Sequence, residues 1–137
     1  MSEVVYTANA HLVGGRAGTG KTDDGKLDLK LALPKSLGGD DNGTNPEQLF
    51  AIGYGACFLG ALGFVARGEK VALGDHSLDA KVDLIKDAPT FKLAVTLTLD
   101  APSVDRATAQ HLLEKAHEVC PYSKATRGNV EVTLSVA

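Results

Sequence analysis

The sequence predicts an α+β fold with mainly antiparallel sheets. Apolar and polar residues alternate in several short runs, which is typical of strands with one buried face. Two longer segments have helical features, and they interrupt the strand runs without alternating regularly with them. The length of 137 residues suits one domain, so we expect a single domain over residues 1–137.

Five runs predict the strands. In the clearest of them, every second residue of 27–33 is a leucine. The predicted strands cover residues 4–13, 27–33, 78–84, 91–99 and 130–136. The residues KDAP at 86–89 favour a hairpin turn, and the glycine-rich segment 14–25 favours a loop.

Capping residues mark the two predicted helices. In the first, Asn45 suits the N-cap, Pro46 suits the first helical position and Gly68 suits the terminator. In the second, Ser103 suits the N-cap, apolar residues follow at helical spacing up to position 119, and Pro121 prevents simple continuation.

The first helix also has the composition of a membrane span, because residues 49–66 contain no charge. Four glycines lower its apolarity, and the amphipathic strands around it need an apolar partner. We therefore expect the buried central helix of a protein that does not enter a membrane.

A second motif is a possible nucleotide site. The residues GRAGTGKT at 15–22 match the P-loop pattern. In a P-loop the glycine-rich turn opens a helix, whose N-terminal amides bind the phosphates. Here the motif leads into Asp23, Asp24 and a strand-like run, so we expect a glycine loop without nucleotide.

Charge and composition exclude other classes. A net charge of −3, with 5% aromatic residues and no Trp, argues against nucleic-acid binding. Two cysteines are too few for a disulfide scaffold, and no histidine lies at metal-ligand spacing from them, so we expect no metal. The first ten residues lack the features of an export signal, so we expect a cytoplasmic protein with reduced thiols.

The two thiols are Cys57, within the first helix, and Cys120, after the second. By themselves they could be inert buried residues or a reactive pair. Reactivity needs a thiolate, and a thiol inside a helix needs a cation from elsewhere to stabilise its charge. The candidate cations lie near glycines, and Glu47 is a candidate carboxylate to orient one of them. These cations are Arg16, Arg67 and Arg127.

Three motifs resemble one known family. They are NPEQLF from Asn45, GYGACF from Gly53 and CPYSKATRGN from Cys120, and a GGR sequence ending at Arg16 follows an opening YTA. Together they resemble the Ohr branch of the OsmC/Ohr family, the organic hydroperoxide resistance proteins, over nearly the whole chain. Ala17 departs from the family, which often has Asp after this arginine.

The resemblance implies an intertwined homodimer with sheets around long central helices, and a thiol peroxidase that reduces alkyl or fatty-acid hydroperoxides to alcohols. Cys57 would be the peroxidatic thiolate, Cys120 would form a disulfide with it, and Arg16 and Glu47 would complete the catalytic set. No cofactor would be bound. An external dithiol, either dihydrolipoamide or a lipoylated protein, would reduce the disulfide.

Two further expectations concern the surroundings of Cys57. Apolar neighbours could line a substrate pocket, namely Phe50, Ile52, Phe58 and Leu59. Glu47 and Cys57 lie ten residues apart, about 15 Å along one helix, so we expect the dimer partner to supply part of the site. The alternative function is a non-catalytic dimeric α+β protein that binds an apolar ligand and has structural cysteines.

Overall fold

The computed structural model describes residues 2–137. The contacts of the chain divide it into two compact units, one ending at Leu49 and the other running from Phe50 to Ala137. The single domain over 1–137 stays a prediction. Six strands and three α-helices follow in chain order: β1 (Ala10–Val13), β2 (Thr19–Thr22), β3 (Asp28–Lys30), α1 (Pro46–Gly68), β4 (Ser77–Asp87), β5 (Thr90–Asp100), α2 (Arg106–Val119), α3 (Pro121–Thr126) and β6 (Glu131–Val136).

The N-terminal unit contains a small antiparallel sheet in the order β1-β2-β3. β2 falls inside the segment predicted as a loop. The glycines around it favour turns, and the strand forms by pairing with β1 and β3. Of the predicted strand 4–13, only Ala10–Val13 form a strand. Its pairing with β2 runs from Ala10↔Thr22 to Val13↔Thr19. The predicted strand 27–33 is likewise shortened to β3.

The P-loop motif has the wrong backbone for nucleotide binding. Its first residues form a single 3₁₀ turn, Gly15–Ala17, which begins after Gly14 with a left-handed φ of 80°. The remaining residues enter β2, and no helix follows the motif within the described chain before Lys35–Leu37. The backbone agrees with the expectation that this motif is not a P-loop, but the expected loop is wrong at residues 19–22, which form β2.

The sheet of the C-terminal unit has the order β4-β5-β6. β4 and β5 form the predicted hairpin, with antiparallel pairing from Ser77↔Asp100 to Asp87↔Thr90. β6 pairs with β5 in parallel, from Ala94↔Glu131 to Leu99↔Val136. Parallel neighbours need a long crossover, and α2 and α3 provide it. The α+β class and the mainly antiparallel pairing are confirmed.

The core of this unit lies between α1, α2 and the sheet. Buried residues of α1 recur at helical spacing and belong to one apolar cluster with α2 and β5. This cluster includes Tyr54, Phe58, Ala61, Leu62, Ala66, Val95, Leu97, Leu99, Leu112, Leu113 and Ala116. By length and composition α1 could cross a membrane. One face of α1 nevertheless packs in this core, whereas Ile52 and Phe64 on other faces stay exposed, so the expected fully buried helix is only half-buried in the single chain.

Three helix ends test the capping predictions. Asn45 caps α1 as predicted, because its Oδ1 accepts from the Gln48 N–H at 2.9 Å. The predicted cap Ser103 is wrong, since Asp105 caps α2 and accepts from the Thr108 N–H at 3.1 Å. Asp105 lies two residues closer than Ser103 to Ala109, the first buried residue of the helix. Pro121 ends α2 but also begins α3, a helix that the sequence reading missed.

We expect Leu112→Ala to destabilise the fold, because Leu112 of α2 is fully buried in the core of the C-terminal unit and truncation leaves a cavity. The loss in the free energy of unfolding should be about 2–5 kcal/mol. Lys115→Ala on the same helix is the control, since Lys115 is exposed and pairs only with Glu118. Urea unfolding that gives the two variants equal stabilities would contradict this placement of the core.

Candidate active site

The two cysteines meet in the C-terminal unit. Cys57 lies in the middle of α1, and Cys120 lies between α2 and α3, 63 residues further along the chain. The Cys120 thiol points at Cys57, with 3.5 Å between the two sulfur atoms. Both thiols are free, Cys120 being buried and Cys57 half-buried. A small movement of either side chain would therefore bring the sulfur atoms to bonding distance.

The backbone of Cys120 is held on both sides. Its N–H donates to the Ala116 carbonyl of α2 at 2.8 Å, and its carbonyl accepts from the Lys124 N–H of α3 at 2.9 Å. The residue itself is extended, with φ −63° and ψ 124°, and Pro121 turns the chain into α3. Cys120 is thus the corner residue between two helices, so the position of its thiol depends on how those helices are held together.

Burial is the main influence on Cys57. It raises the pKa of the Cys57 thiol above the ordinary value, because the thiolate loses hydration; a hydrogen bond from the backbone N–H of Tyr122 acts in the opposite direction. The adjacent Cys120 also raises this pKa. In these surroundings the thiolate needs further positive charge.

The Tyr122 N–H is a functional group that the sequence reading missed. Cys57 lies too far inside α1 to benefit from that helix's own N-terminus, and the first turn of α3 supplies a free N–H instead. Pro121, directly after Cys120, is the residue that could have predicted this helix start, because proline favours the first position of a helix.

Arg16 and Glu47 form a bidentate ion pair in the N-terminal unit. Arg16 projects from the Gly15–Ala17 turn, and its two terminal nitrogens donate to the two carboxylate oxygens of Glu47 at 2.9 and 2.7 Å. The hydrogen bonds lower the pKa of Glu47 and raise the pKa of Arg16, so both groups are charged at neutral pH. The planar guanidinium is held in one orientation, which a single-point contact would not achieve.

The other two candidate cations lie elsewhere. Arg67 belongs to the last turn of α1. Arg127 follows α3, and its guanidinium donates to the backbone carbonyl of His117. Of the three candidates, Arg16 is the one whose guanidinium is paired with a carboxylate in the described residues.

The four residues predicted to line a pocket occupy three different environments. Ile52 and Leu59 line a shallow groove between α1 and β4 with a volume of about 270 Å³. Phe50 stacks on Tyr122, with ring centroids 6.3 Å apart. Phe58 is fully buried in the core, so it supports α1 and does not face a pocket.

The fold and the sequence motifs together identify the family of this protein. The family model described as "OsmC-like protein" matches residues 38–135. The chain belongs to the OsmC-like family, and relatives at 47–49% identity place it in the organic hydroperoxide resistance branch.

Two relatives and one solved structure document this placement. The chain is 49% identical to the organic hydroperoxide resistance protein of Xanthomonas axonopodis pv. citri, covering 98% of this chain and 96% of that protein. It is 47% identical to the organic hydroperoxide resistance protein OhrB of Bacillus subtilis, covering 96% and 98%. An organic hydroperoxide resistance protein from Legionella pneumophila superposes with a TM-score of 0.93 at 48% identity, covering 98% of this chain and 99% of that one.

We expect the Arg16–Glu47 pair to add little to stability, because 42% of the Arg16 side chain is exposed and water screens the charges. Glu47→Gln should lower the free energy of unfolding by no more than about 1 kcal/mol at pH 7. The pKa of Glu47 is lowered by folding, so its contribution is present above the ordinary value of 4.5 and is lost as the pH falls through the folded pKa.

Urea unfolding of the natural chain and of Glu47→Gln between pH 7 and pH 3 measures this. The difference in the free energy of unfolding between the two proteins should be constant near pH 7 and should shrink as the pH falls towards 3. Glu3→Gln, at an exposed position, is the control. A difference that grows as the pH falls would have the wrong sign for this ion pair.

Proposed function

We propose that this chain is a thiol-dependent peroxidase that reduces organic hydroperoxides to alcohols. The contact of 3.5 Å between Cys57 Sγ and Cys120 Sγ is the observation that carries the proposal, since it suits two thiols that form and break a disulfide. The names of the relatives, organic hydroperoxide resistance proteins, support the choice of substrate class.

In the first step the Cys57 thiolate attacks the terminal oxygen of the hydroperoxide. The O–O bond breaks, the alkoxide takes up a proton and leaves as an alcohol, and Cys57 becomes a sulfenic acid. We propose that Arg16 stabilises both the thiolate and the charge that develops on the leaving oxygen, and that Glu47 orients Arg16. The raised pKa of Cys57 supports this role, because a buried thiol without a cation would stay protonated.

In the second step Cys120 attacks the sulfur of the Cys57 sulfenic acid. A sulfur–sulfur bond forms, and the hydroxyl group leaves as water after it takes up the proton of the Cys120 thiol. An external dithiol then reduces the disulfide by thiol–disulfide exchange, and we propose dihydrolipoamide or a lipoylated protein for this role. The cycle needs neither a metal nor a bound cofactor, and a reducing cytoplasm would sustain it.

We further propose that the protein works as a homodimer. Apolar side chains of α1 stay exposed in the single chain, with Ile52 at 72% and Phe64 at 65% exposure, and a second copy would cover such residues. α1 continues without interruption from Pro46 to Gly68, so Glu47 and Cys57 are about 15 Å apart along it. This distance supports a site in which the Arg16–Glu47 pair beside one Cys57 comes wholly or partly from the partner subunit.

Cys57→Ser should abolish peroxide reduction, because a serine hydroxyl is not ionised at neutral pH. Cys120→Ser should reduce one equivalent of hydroperoxide and then stop with Cys57 as a sulfenic acid. Mass spectrometry and peroxide consumption after one equivalent of cumene hydroperoxide measure both. Equal residual turnover in the two variants would remove the distinction between the thiols.

Titration of free thiols in the natural chain separates this proposal from the non-catalytic alternative. A peroxidase loses both thiols after one equivalent of alkyl hydroperoxide, whereas a protein that only binds an apolar ligand keeps them. The groove lined by Ile52 and Leu59 is the feature that such a ligand would use.

Mixing inactive Cys57→Ser chains with inactive Glu47→Ala chains tests the shared site. A heterodimer would have one site with both Cys57 and Glu47 intact, so activity should return on subunit exchange, to at most about half the natural value per dimer. Each variant alone is the control. Verified heterodimers that remain inactive would show that the site is built within one chain.

A further inference from the structure

A chain of hydrogen-bonded side chains links the surroundings of the two thiols. The Tyr54 hydroxyl lies 2.7 Å from Ser123 Oγ and 3.2 Å from Thr126 Oγ1. Ser123 Oγ lies 2.8 Å from His117 Nδ1. Tyr54 and Ser123 are fully buried and Thr126 is nearly so. We call these four side chains the hydroxyl chain.

The hydroxyl chain spans the corner at Cys120. His117 belongs to the last turn of α2, and Ser123 belongs to α3, so their hydrogen bond joins the two helices that meet at Cys120. Arg127 makes a second connection between the same elements, because its guanidinium donates to the His117 carbonyl. The angle of this corner therefore depends on side-chain hydrogen bonds as well as on the backbone bonds of Cys120.

The hydroxyl chain also reaches α1, the helix that carries Cys57. Tyr54 lies three residues before Cys57 in α1, on a neighbouring position of the helix surface, and its hydroxyl is bonded to Ser123. α1 and the Cys120 corner are thus linked by a polar contact inside an otherwise apolar core. A buried hydrogen bond has strict geometry, whereas apolar packing tolerates sliding.

We propose that Tyr54, Ser123 and His117 are positioning residues that hold the Cys120 thiol against Cys57 for disulfide formation. The inference rests on the proposed peroxidase function and assigns these residues to its second step alone. Peroxide attack by Cys57 does not use the Cys120 thiol, so it should proceed when the hydroxyl chain is broken, with at most a small change through the Tyr122 N–H.

The proton inventory explains why each member is needed. When Nδ1 of His117 carries no proton, Tyr54 donates to Ser123, Ser123 donates to His117 Nδ1, and Thr126 donates to the Ser123 carbonyl. When Nδ1 is protonated, His117 donates to Ser123, Ser123 to Tyr54 and Tyr54 to Thr126, while Thr126 still donates to the Ser123 carbonyl.

Both orders satisfy all the hydroxyls. Burial lowers the pKa of His117 and favours the neutral imidazole, whose tautomer decides between the two orders. Loss of one member leaves a buried hydroxyl with a missing partner and loosens the corner.

Single-turnover oxidation of the reduced full-length protein tests the inference. One equivalent of cumene hydroperoxide is added, its consumption reports the first step, and the loss of the second thiol with the mass decrease of a disulfide reports the second step. Tyr54→Phe and His117→Leu should leave the first rate nearly unchanged and slow the second by roughly tenfold, the effect of one lost hydrogen bond. With excess hydroperoxide, both variants should accumulate sulfinic acid at Cys57.

His117→Asn is the rescue variant, because an amide can place a polar atom near the position of Nδ1, and it should restore most of the second rate. His111→Leu is the matched control on the same helix, since His111 pairs with Glu69 at the surface, 2.9 Å away. In this control, the rates of both steps should equal those of the natural chain.

Three outcomes would overturn the inference. Natural rates of disulfide formation in both Tyr54→Phe and His117→Leu would show that the hydroxyl chain does not position Cys120. Equal slowing of the two steps, accompanied by a lower melting temperature, would assign it a purely structural role. If the natural chain consumes no hydroperoxide and keeps both thiols, the proposed function fails and the positioning role fails with it.

Discussion

The packing of α1 against α2 and β5 determines where the two thiols lie. Tyr54, Phe58 and Leu62 bury one face of α1, and this places Cys57 next to the corner that follows α2. Leu112 and Ala116 bury the facing side of α2, whose last turn ends at Cys120. The contact of the sulfur atoms is therefore a consequence of core packing, and no sequence-local interaction could produce it.

The same burial creates an electrostatic requirement. It brings Cys57 and Cys120 together in a poorly hydrated place, and it raises the pKa of the Cys57 thiol. The Tyr122 N–H offsets part of this effect, and a cation is needed for the rest. A rigid arginine suits that role because its charge is permanent, and we propose Arg16 for it, since Glu47 holds the orientation of its guanidinium.

Local patterns predict the elements that depend on neighbours within a few residues. These are the cap at Asn45, the hairpin of β4 and β5 and the helical periodicity of α1 and α2. Local patterns do not predict β2, where a glycine and polar residues form a strand because β1 and β3 pair with them. They do not predict α3 either, where a proline that ends one helix begins another.

By itself, the sequence determined most of the elements, the two thiols, the family motifs and the candidate ion pair, since these depend on residue types and short spacings. Tertiary structure alone decided that Cys57 and Cys120 are in contact across 63 residues, and that Phe58 is a core residue rather than part of a pocket. It also decided that Tyr54, Ser123 and His117 are joined through buried hydroxyls. Such relations depend on which faces of distant segments are buried together, and burial is a property of the whole fold rather than of any local stretch of sequence.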